Sequence, residues 1–452
     1  MTSTAQSTAP SHPTTPRERT RAAVLGTLGN VMEWYDFTVY GFLAAYIAAN
    51  FFPGDDPLAK LLAAFGIYAV GFVARPLGAL VLGPLIDRRG RKSVMLLSML
   101  LMAAGSLLIG IAPTYATSGA FGAVVITVGR LMQGFSAGGE FGSSAVFLVE
   151  WANPRRRGLY GSFHQVATYG GLVLGAVLVA ALTAAVGTDS MREWVWRVPF
   201  LIGAVLAVIV LVLRRRVAEP PAFVAAAADP DPVVEPAAAS SQAAAVTAPT
   251  ARARREVGAL AGFMLTLGVV ALWGVTSMVT INYMPTYTTN FAGLTPQSAL
   301  WATVIGGAVA VALIPVAGHL SDRYGRRPFV IGAAVAFLVL PWPLFTMITS
   351  VGQFWAVLVA QICFSIPTAA MAGVGSSTIS ELFPTHRRGT LVSIGSAIAV
   401  TLFGGFGAYI CTWLIRTTGN VVAPAFYVMA VAVITLVAGS LLPNTADREL
   451  RR

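Results

Sequence analysis

The stretch Gly83-Pro-Leu-Ile-Asp87-Arg88-Arg-Gly90-Arg91-Lys92 recurs in the second part of the chain as Gly318-His-Leu-Ser-Asp322-Arg323-Tyr-Gly325-Arg326-Arg327. A second signal repeats at nearly the same offset, because Glu150 and Glu381 are each followed by the same Arg-Arg-Gly sequence. Two repeats at nearly one offset predict two homologous halves in parallel orientation.

Long apolar blocks separate these charged signals. Only 11% of the 452 residues are charged and 56% are hydrophobic, whereas a soluble domain has about 25% charged residues. The blocks cover residues 22–86, 93–149, 158–213, 257–317, 329–380 and 389–446. Because one membrane helix needs about 20 residues, each block is long enough for two helices and a turn. We therefore expect an all-α integral membrane protein with twelve transmembrane helices in two six-helix halves.

The same pattern predicts the domain organisation. Residues 22–213 form the N-terminal half and residues 257–446 form the C-terminal half. Residues 214–256 are rich in Ala and Pro with scattered acids, which is typical of a disordered linker. Residues 1–21 are predicted to be a disordered N-terminus, and residues 447–452 a short tail.

The distribution of basic residues predicts the orientation in the membrane. Of 30 Lys and Arg residues, 24 lie in the termini and in the connections that follow even-numbered spans. By the positive-inside rule, both termini and these connections are cytoplasmic in a multi-pass plasma-membrane protein. The net charge of +11 is therefore a topology signal, and it does not require nucleic-acid binding. The N-terminus lacks the apolar core of a signal peptide, so we expect the first span to be retained.

The sequence lacks the residue patterns that other functional classes require. Cys363 and Cys411 lie in apolar runs and predict no disulfide. No Gly-Lys-Ser/Thr motif is present for a nucleotide, and four histidines form no metal or nucleophile pattern. We expect no enzyme activity, no cofactor, no metal and no obligatory protein partner; the expected partners are a small organic solute, the proton and the lipid bilayer.

Ionisable residues inside the predicted spans are the main functional candidates. Each costs about 2.5 to 3.5 kcal/mol to insert at the membrane centre, so such residues are usually functional. They are Glu33 and Asp36 in span 1, Arg75 in span 2, Arg130 and Glu140 in span 4, and His164 in span 5. Because spans 7 to 12 have none away from their ends, we expect the N-terminal half to build any charge-dependent site.

The depth of Arg75 in the membrane favours it as the central residue for binding the substrate. From the helical rise along each span, Arg75 and Glu33 both lie near mid-membrane and can face each other, whereas Arg130 lies in the outer half. Asp36 is on the same stripe of span 1 as Glu33, together with Asn30 and Tyr40. Arg75 suits a substrate carboxylate, whose arrival would free Glu33 or Asp36 to take a proton. The alternative is a fixed ion pair that only joins spans 1 and 2.

Two further polar groups have two interpretations each. His164, Gln165 and Tyr169 in span 5 either line a cavity or join helices. Asn282, Tyr283 and Tyr287 form either an outer gate or an interfacial aromatic belt. The repeated charged turns predict a charge network that latches one conformation, with Gly83, Asp87, Arg88, Gly90, Arg91, Glu150, Asp322, Arg323, Gly325, Arg326 and Glu381 as its members.

With these motifs the chain resembles the major facilitator superfamily and, within it, the metabolite:proton symporter family. The matching stretches are Gly29-Asn-Val-Met-Glu33-Trp-Tyr-Asp36-Phe, Arg75-Pro-Leu-Gly, Gly129-Arg130-Leu-Met-Gln133-Gly134-Phe-Ser-Ala-Gly138-Gly139-Glu140 and Trp194-Val-Trp196-Arg197-Val-Pro199-Phe200. The resemblance implies alternating access and proton symport of a small carboxylate-bearing solute such as a keto acid, citrate, shikimate, proline or betaine.

We accordingly assign candidate roles. The substrate-binding candidates are Arg75, Arg130, Asn30, Tyr40, Gln133, Gln165 and Tyr169, and the proton-coupling candidates are Glu33, Asp36 and Glu140. An uncoupled uniporter and a proton antiporter are the nearer alternatives, although span 5 lacks the Gly-x-x-x-Gly-Pro pattern associated with drug exporters. A channel and a transporter-like sensor are more distant alternatives.

Overall fold

The computed structural model describes residues 16–89, 91–152, 156–215, 258–383 and 385–443. Most of the predicted disordered N-terminus, nearly all of the predicted linker and all of the predicted tail lie outside these ranges. Within the described ranges every regular element is helical. We number the membrane-crossing elements as spans 1 to 12 in chain order.

The N-terminal half contains spans 1 to 6. A short helix, Tyr115–Ser118, and a 3₁₀ turn, Val195–Arg197, lie in its connections. Span 1 comprises Pro16–Phe42 and Ala44–Phe51, span 2 is Pro57–Arg89, span 3 Arg91–Ile111, span 4 Phe121–Trp151, span 5 Arg157–Glu193 and span 6 Val198–Arg215.

The C-terminal half contains spans 7 to 12, and two of them include π-helical segments. Span 7 comprises Ala259–Val275, the π-helical Thr276–Tyr283 and Met284–Phe291; span 8 is Pro296–Tyr324; span 9 comprises Arg327–Val339 and Pro341–Val351; span 10 is Phe354–Glu381; span 11 comprises Thr385–Ala399, the π-helical Val400–Gly405 and Gly407–Thr418; and span 12 is Ala423–Leu441.

Length and hydropathy support the membrane assignment. In the described part of the chain, nine helices are long and apolar enough to cross a membrane, and the two bent pieces of span 9 together make a tenth. The remaining two, spans 1 and 4, carry Glu33, Asp36 and Arg130. The predicted all-α fold with twelve spans is therefore confirmed.

Proline and glycine set two of the helix ends. Span 9 bends by 41° where Pro341 begins its second piece, because proline has no N–H to continue the helical hydrogen bonding. Span 8 ends immediately before Gly325, whose φ of +88° lies in the left-handed region that favours glycine. These residues fix the length and direction of the two spans.

Spans 2 and 4 approach each other through glycines. A Cβ on Gly134 would overlap the carbonyl oxygen of Gly71, and a Cβ on Gly138 would overlap that of Arg75. Small residues permit this backbone contact between membrane helices. The contact brings Arg75 and Arg130 into the same half-bundle.

The two halves meet along several pairs of spans, and two of these pairs pack closely at glycines. We call the end where even-numbered spans finish the inner end, which the sequence predicts to be cytoplasmic, and the opposite end the outer end. Span 5 packs along span 8, where Gly158 lies against Gly318 and Val173 against Gly307. Span 2 meets span 11, where Gly405 lies against the ring of Phe72.

The close contact of spans 2 and 4 can be tested with alanine. Gly134→Ala forces the two backbones apart, so we expect a loss of about 1 to 3 kcal/mol in stability and a lower thermal unfolding temperature in detergent. Gly170→Ala is the matched control, because a Cβ on Gly170 meets no atom within 4 Å. Equal unfolding temperatures for the two variants would contradict the packing described here.

Candidate functional site

Arg75 and Glu33 form a buried ion pair between spans 2 and 1. Nη2 of Arg75 donates to Oε1 of Glu33, and both side chains are almost fully buried. The guanidinium carbon also lies 5.2 Å from the ring centres of Trp34 and Phe37 and 5.7 Å from that of Phe72. Such cation–π contacts help to stabilise a desolvated cation. The structure therefore brings together the two residues that sequence depth placed opposite each other.

Arg130 forms a second charged layer, farther toward the outer end. Its Nη1 donates to Oε1 of Gln133 at 2.8 Å, and the carbonyl oxygen of Tyr68 accepts a long 3.5 Å bond from its Nη2. Gln133 in turn donates to Ser106 at 2.8 Å. The Arg130 side chain is fully buried, so Gln133 acts as its positioning partner within the N-terminal half.

Aromatic rings join the two layers. The ring of Phe37 contacts both guanidinium groups, and its centre lies 5.2 Å from that of Arg75 and 4.5 Å from that of Arg130. Arg130 also lies 4.8 Å from the ring of Tyr40 and 5.0 Å from that of Tyr68. Because the π density of a ring attracts cations, Phe37 interacts with both arginines.

Asp36 is the carboxyl of the second layer. It is fully buried, and Ser106 and Arg130 lie close enough to interact with it electrostatically. Among the described residues, however, neither carboxylate oxygen has a partner in hydrogen-bonding geometry. Its Oδ1 lies against Gly203 of span 6, where a side chain would collide with it. Asp36 thus points into the interior of the N-terminal half.

A cavity between the halves reaches Arg75. It is narrow and is lined by Trp34, Arg75, Ala137, Gly138, Ser393, Ser396, Ala397 and Val400. The first four residues belong to the N-terminal half and the last four to span 11. Within the described part of the chain, Nη1 of Arg75 and Nε1 of Trp34 have no hydrogen-bond acceptor. Two residues on one wall of the cavity thus each carry a buried donor without an acceptor.

Several predicted binding residues join helices. Asn30 donates to the carbonyl oxygen of His164 at 3.0 Å and to Thr168 at 2.8 Å, which ties span 1 to span 5. Tyr40 donates to the carbonyl oxygen of Ala64 at 3.2 Å. Neither Asn30 nor Tyr40 lines the cavity beside Arg75. The polar residues predicted to share one face of span 1 thus have different neighbours: some contact span 2, one contacts span 5, and Asp36 faces the interior of the N-terminal half.

Span 5 brings polar groups to the boundary between the halves. Gln165 donates to Ser376 of span 10 at 3.3 Å, and Tyr169 lies near Thr276 of span 7. His164 is fully buried and lies close enough to Arg75 for an electrostatic interaction. Gln165 therefore makes a direct contact between the halves, and the carbonyl oxygen of His164 accepts from span 1.

Contacts at the outer side of the cavity also join the halves. Asn282 donates to the carbonyl oxygen of Thr38 at 3.1 Å, and Tyr68 donates to the sulfur of Met278 at 3.1 Å. Tyr283 and Tyr287 are fully buried, which favours the gate over the interfacial belt. Farther out, Arg416 and Asp56 form an exposed ion pair of 2.8 Å.

A charge network joins the halves at the inner end. Asp322 accepts from the backbone N–H groups of Gly158 at 2.7 Å and Leu159 at 3.0 Å, at the N-terminus of span 5. Arg326 pairs with Asp322 at 2.9 Å and with Glu381 at 3.2 Å. A carboxylate at a helix N-terminus is favourable because the helix dipole is positive there. Arg323 is exposed.

Several predicted residues cannot be placed in this way. Gly90 lies outside the described residues. For six further predicted residues the structure describes the backbone but not the surroundings of the side chain. They are Gly83, Asp87, Arg88, Arg91 and Glu150 of the predicted latch and Glu140 of the predicted proton-coupling set. Their roles stay predictions.

Sequence reasoning missed the aromatic and hydroxyl residues of the site. Tyr68 and Phe72 precede Arg75 by seven and three residues, so helical spacing places them on its face. That spacing was a usable signal. Ser106, Ser393 and Ser396 carried no comparable signal, because isolated serines are common in membrane helices.

Known proteins with similar sequences cover nearly all of this chain. The family described as "Sugar (and other) transporter" matches residues 22–452. The proline/betaine transporter of Escherichia coli K12 is 33% identical over 95% of this chain and 85% of its own length. The citrate-proton symporter of Salmonella typhi is 32% identical, over 95% of each chain. The ectoine/proline transporter of Corynebacterium glutamicum is 36% identical, over 96% and 86%.

Solved structures agree on the fold. A crystal structure of the D-xylose-proton symporter superposes with a TM-score of 0.72 at 19% identity, over 96% of this chain and all of that one. A partially occluded, inward-open structure of the Escherichia coli xylose transporter gives a TM-score of 0.71 at 18% identity, over 95% and 98%. The match over residues 22–452 and the relatives named above show that the chain belongs to the sugar (and other) transporter family and is a membrane transporter, and the solved structures show that it has the major facilitator fold.

Proposed function

We propose that this protein takes up a small carboxylate-bearing solute together with a proton, by alternating access. The observation that carries the proposal is Arg75, a buried cation with an unused donor at a cavity between the halves. A guanidinium with a free N–H is well suited to a carboxylate. The sequence relatives named above are transporters of proline, betaine, ectoine and citrate, all of which carry a carboxylate.

Glu33 is the resting partner of Arg75 in this proposal. A buried guanidinium without a counter-charge is costly, so Glu33 neutralises it while the cavity is empty. The unused Nη1 offers the solute a binding point without breaking the existing pair. The arriving carboxylate then adds a negative charge beside Arg75.

Asp36 carries the transported proton. Arg130 is held by Gln133 and the carbonyl oxygen of Tyr68, and it forms no hydrogen bond to Asp36. Both oxygens of Asp36 are without a hydrogen-bond partner among the described residues, so the carboxyl is available to bind a proton when solute arrives. Asp36 faces the interior of the N-terminal half, away from the solute cavity, so proton and solute occupy separate places.

Charge balance couples the two events. Glu33, Asp36, Arg75 and Arg130 sum to zero when all four are charged. A solute carboxylate at Arg75 adds one negative charge to this cluster, and a proton on Asp36 offsets it. Because charges interact strongly in a medium of low dielectric constant, carboxylate and proton stabilise each other in the same state.

Alternating access uses the contacts at the two ends of the cavity. The bonds from Asn282 and Tyr68 close its outer side, whereas the network of Asp322, Arg326 and Glu381 closes the inner end. Opening either side requires only that its own set of contacts breaks. The proton gradient supplies the energy, no further cofactor or protein partner is needed, and both termini face the cytoplasm across the plasma membrane.

Because Asp36 and Glu33 have separate proposed roles, substituting each of them should impair a different step of transport. In proteoliposomes, Asp36→Asn should keep solute exchange between equal pools but lose accumulation driven by an inward proton gradient. Glu33→Gln leaves Arg75 without its resting partner, so we expect a lower KM and a slower turnover. The exposed Asp189→Asn is the control. If both variants still accumulate solute under the gradient as well as the wild-type protein does, Glu33 and Arg75 form only a fixed structural pair. If uptake by the wild-type protein does not depend on the gradient, a uniporter is favoured.

The anchor role of Arg75 predicts sensitivity to a conservative change. Lysine keeps the charge but cannot offer one N–H to Glu33 and another to the solute in a planar fork. Arg75→Lys should therefore raise the KM for solute uptake by about tenfold or more. Arg192→Lys, at an exposed position, should leave it unchanged. A wild-type KM in Arg75→Lys would remove Arg75 from the solute site.

The proposed orientation can be tested with single cysteines. In a variant with Cys363 and Cys411 replaced by alanine, a membrane-impermeant maleimide added to intact cells should label Asn420→Cys, in the outer connection between spans 11 and 12. It should label Ser240→Cys, in the predicted linker, only after the cells are permeabilised. The reverse labelling pattern would place the termini outside the cytoplasm.

A further inference from the structure

The two walls of the cavity have opposite hydrogen-bonding character. On the N-terminal wall, Nε1–H of Trp34 and Nη1–H of Arg75 are donors without acceptors among the described residues. Both side chains are about 3% exposed. A tryptophan N–H can only donate, and so can a guanidinium N–H. This wall is therefore suited to the two oxygens of one carboxylate.

The opposite wall offers acceptors. Ser393 donates its hydroxyl proton to the carbonyl oxygen of Gly389 at 2.7 Å, and Ser396 donates its own to that of Val392. With the protons committed to their own helix, the oxygens of both hydroxyls keep lone pairs for another donor. The two serines are three residues apart on span 11, and they line the cavity together with Ala397 and Val400.

Spans 7 to 12 have no charged residue away from their ends. A second carboxylate on the solute would thus face hydroxyl oxygens whose protons are already donated, and burying a charge without a partner is costly. An ammonium group that carries N–H bonds would instead find acceptors. The cavity between the two walls is also narrow, which favours a small solute.

We propose that Trp34 and Arg75 together hold the solute's carboxylate while Ser393 and Ser396 accept hydrogen bonds from its ammonium group. The preferred solute is then a small zwitterion with at least one N–H on its cationic end. This assignment rests on the proposed function, because it takes the cavity at Arg75 as the solute site. Trp34 and the two serines become specificity-determining residues that the charged motifs did not reveal.

The experiment compares three solutes in proteoliposomes of purified protein under an inward proton gradient. Proline has a carboxylate and an N–H-bearing ammonium, glycine betaine has a carboxylate and no N–H, and 2-oxoglutarate has two carboxylates. We expect the wild-type protein to take up proline with the lowest KM and 2-oxoglutarate with the highest. This comparison needs no variant, so it holds even where a substitution impairs folding.

Variants then test which wall of the cavity binds which end of the solute. Ser393→Ala combined with Ser396→Ala should raise the KM for proline about tenfold and change that for glycine betaine little. Trp34→Phe keeps the ring but removes the N–H, so it should raise the KM for both solutes. Ser440→Ala, at an exposed position with a similar hydrogen bond to its own helix, is the control.

The outcomes separate the two proposals. A wild-type preference for 2-oxoglutarate, or an unchanged proline KM in the double serine variant, overturns the zwitterion assignment while proton-coupled uptake stands. Failure of the wild-type protein to take up any of the three solutes, with or without the gradient, overturns the proposed function itself.

Discussion

The burial of paired charges in one half of the bundle is the constraint on which the rest of the structure depends. Two guanidinium groups and two carboxyls lie at membrane depth in the N-terminal half, where each alone is costly. Arg75 is stabilised by Glu33 and by three rings, whereas Arg130 is stabilised by Gln133, a carbonyl oxygen and three rings. Phe37 contacts both arginines, so a change of charge at one arginine alters the electrostatic environment of the other.

The rest of the bundle positions this cluster beside a cavity between the two halves. The glycines of spans 2 and 4 bring the two arginines into one half, and span 11 contributes an uncharged wall with two hydroxyls opposite Arg75. Hydrogen bonds from Asn282 and Tyr68 join the halves on the outer side, and Asp322 caps span 5 on the inner side.

Sequence reasoning reached the fold and the ion pair, because both follow from simple geometry. Repeat offset and block length predicted twelve spans in two halves, and the regular rise of a helix placed Arg75 opposite Glu33. It could not predict that Asn30 and Tyr40 would bind neighbouring helices, since helical spacing gives a face but not the partner of that face. Nor could it select Ser393 or Trp34, whose importance comes from lining a cavity between segments far apart in the chain.

A solute carboxylate at Arg75 and a proton on Asp36 are proposed to occupy one coupled charge cluster, and this coupling is the central claim. Calorimetry of solute binding to the purified protein, in two buffers with different heats of ionisation, measures the protons taken up on binding. We expect net proton uptake by the wild-type protein and by Glu33→Gln, and none by Asp36→Asn. Binding to the wild-type protein with no proton exchange, at any pH at which it stays folded, would contradict the coupling, as would full proton uptake by Asp36→Asn.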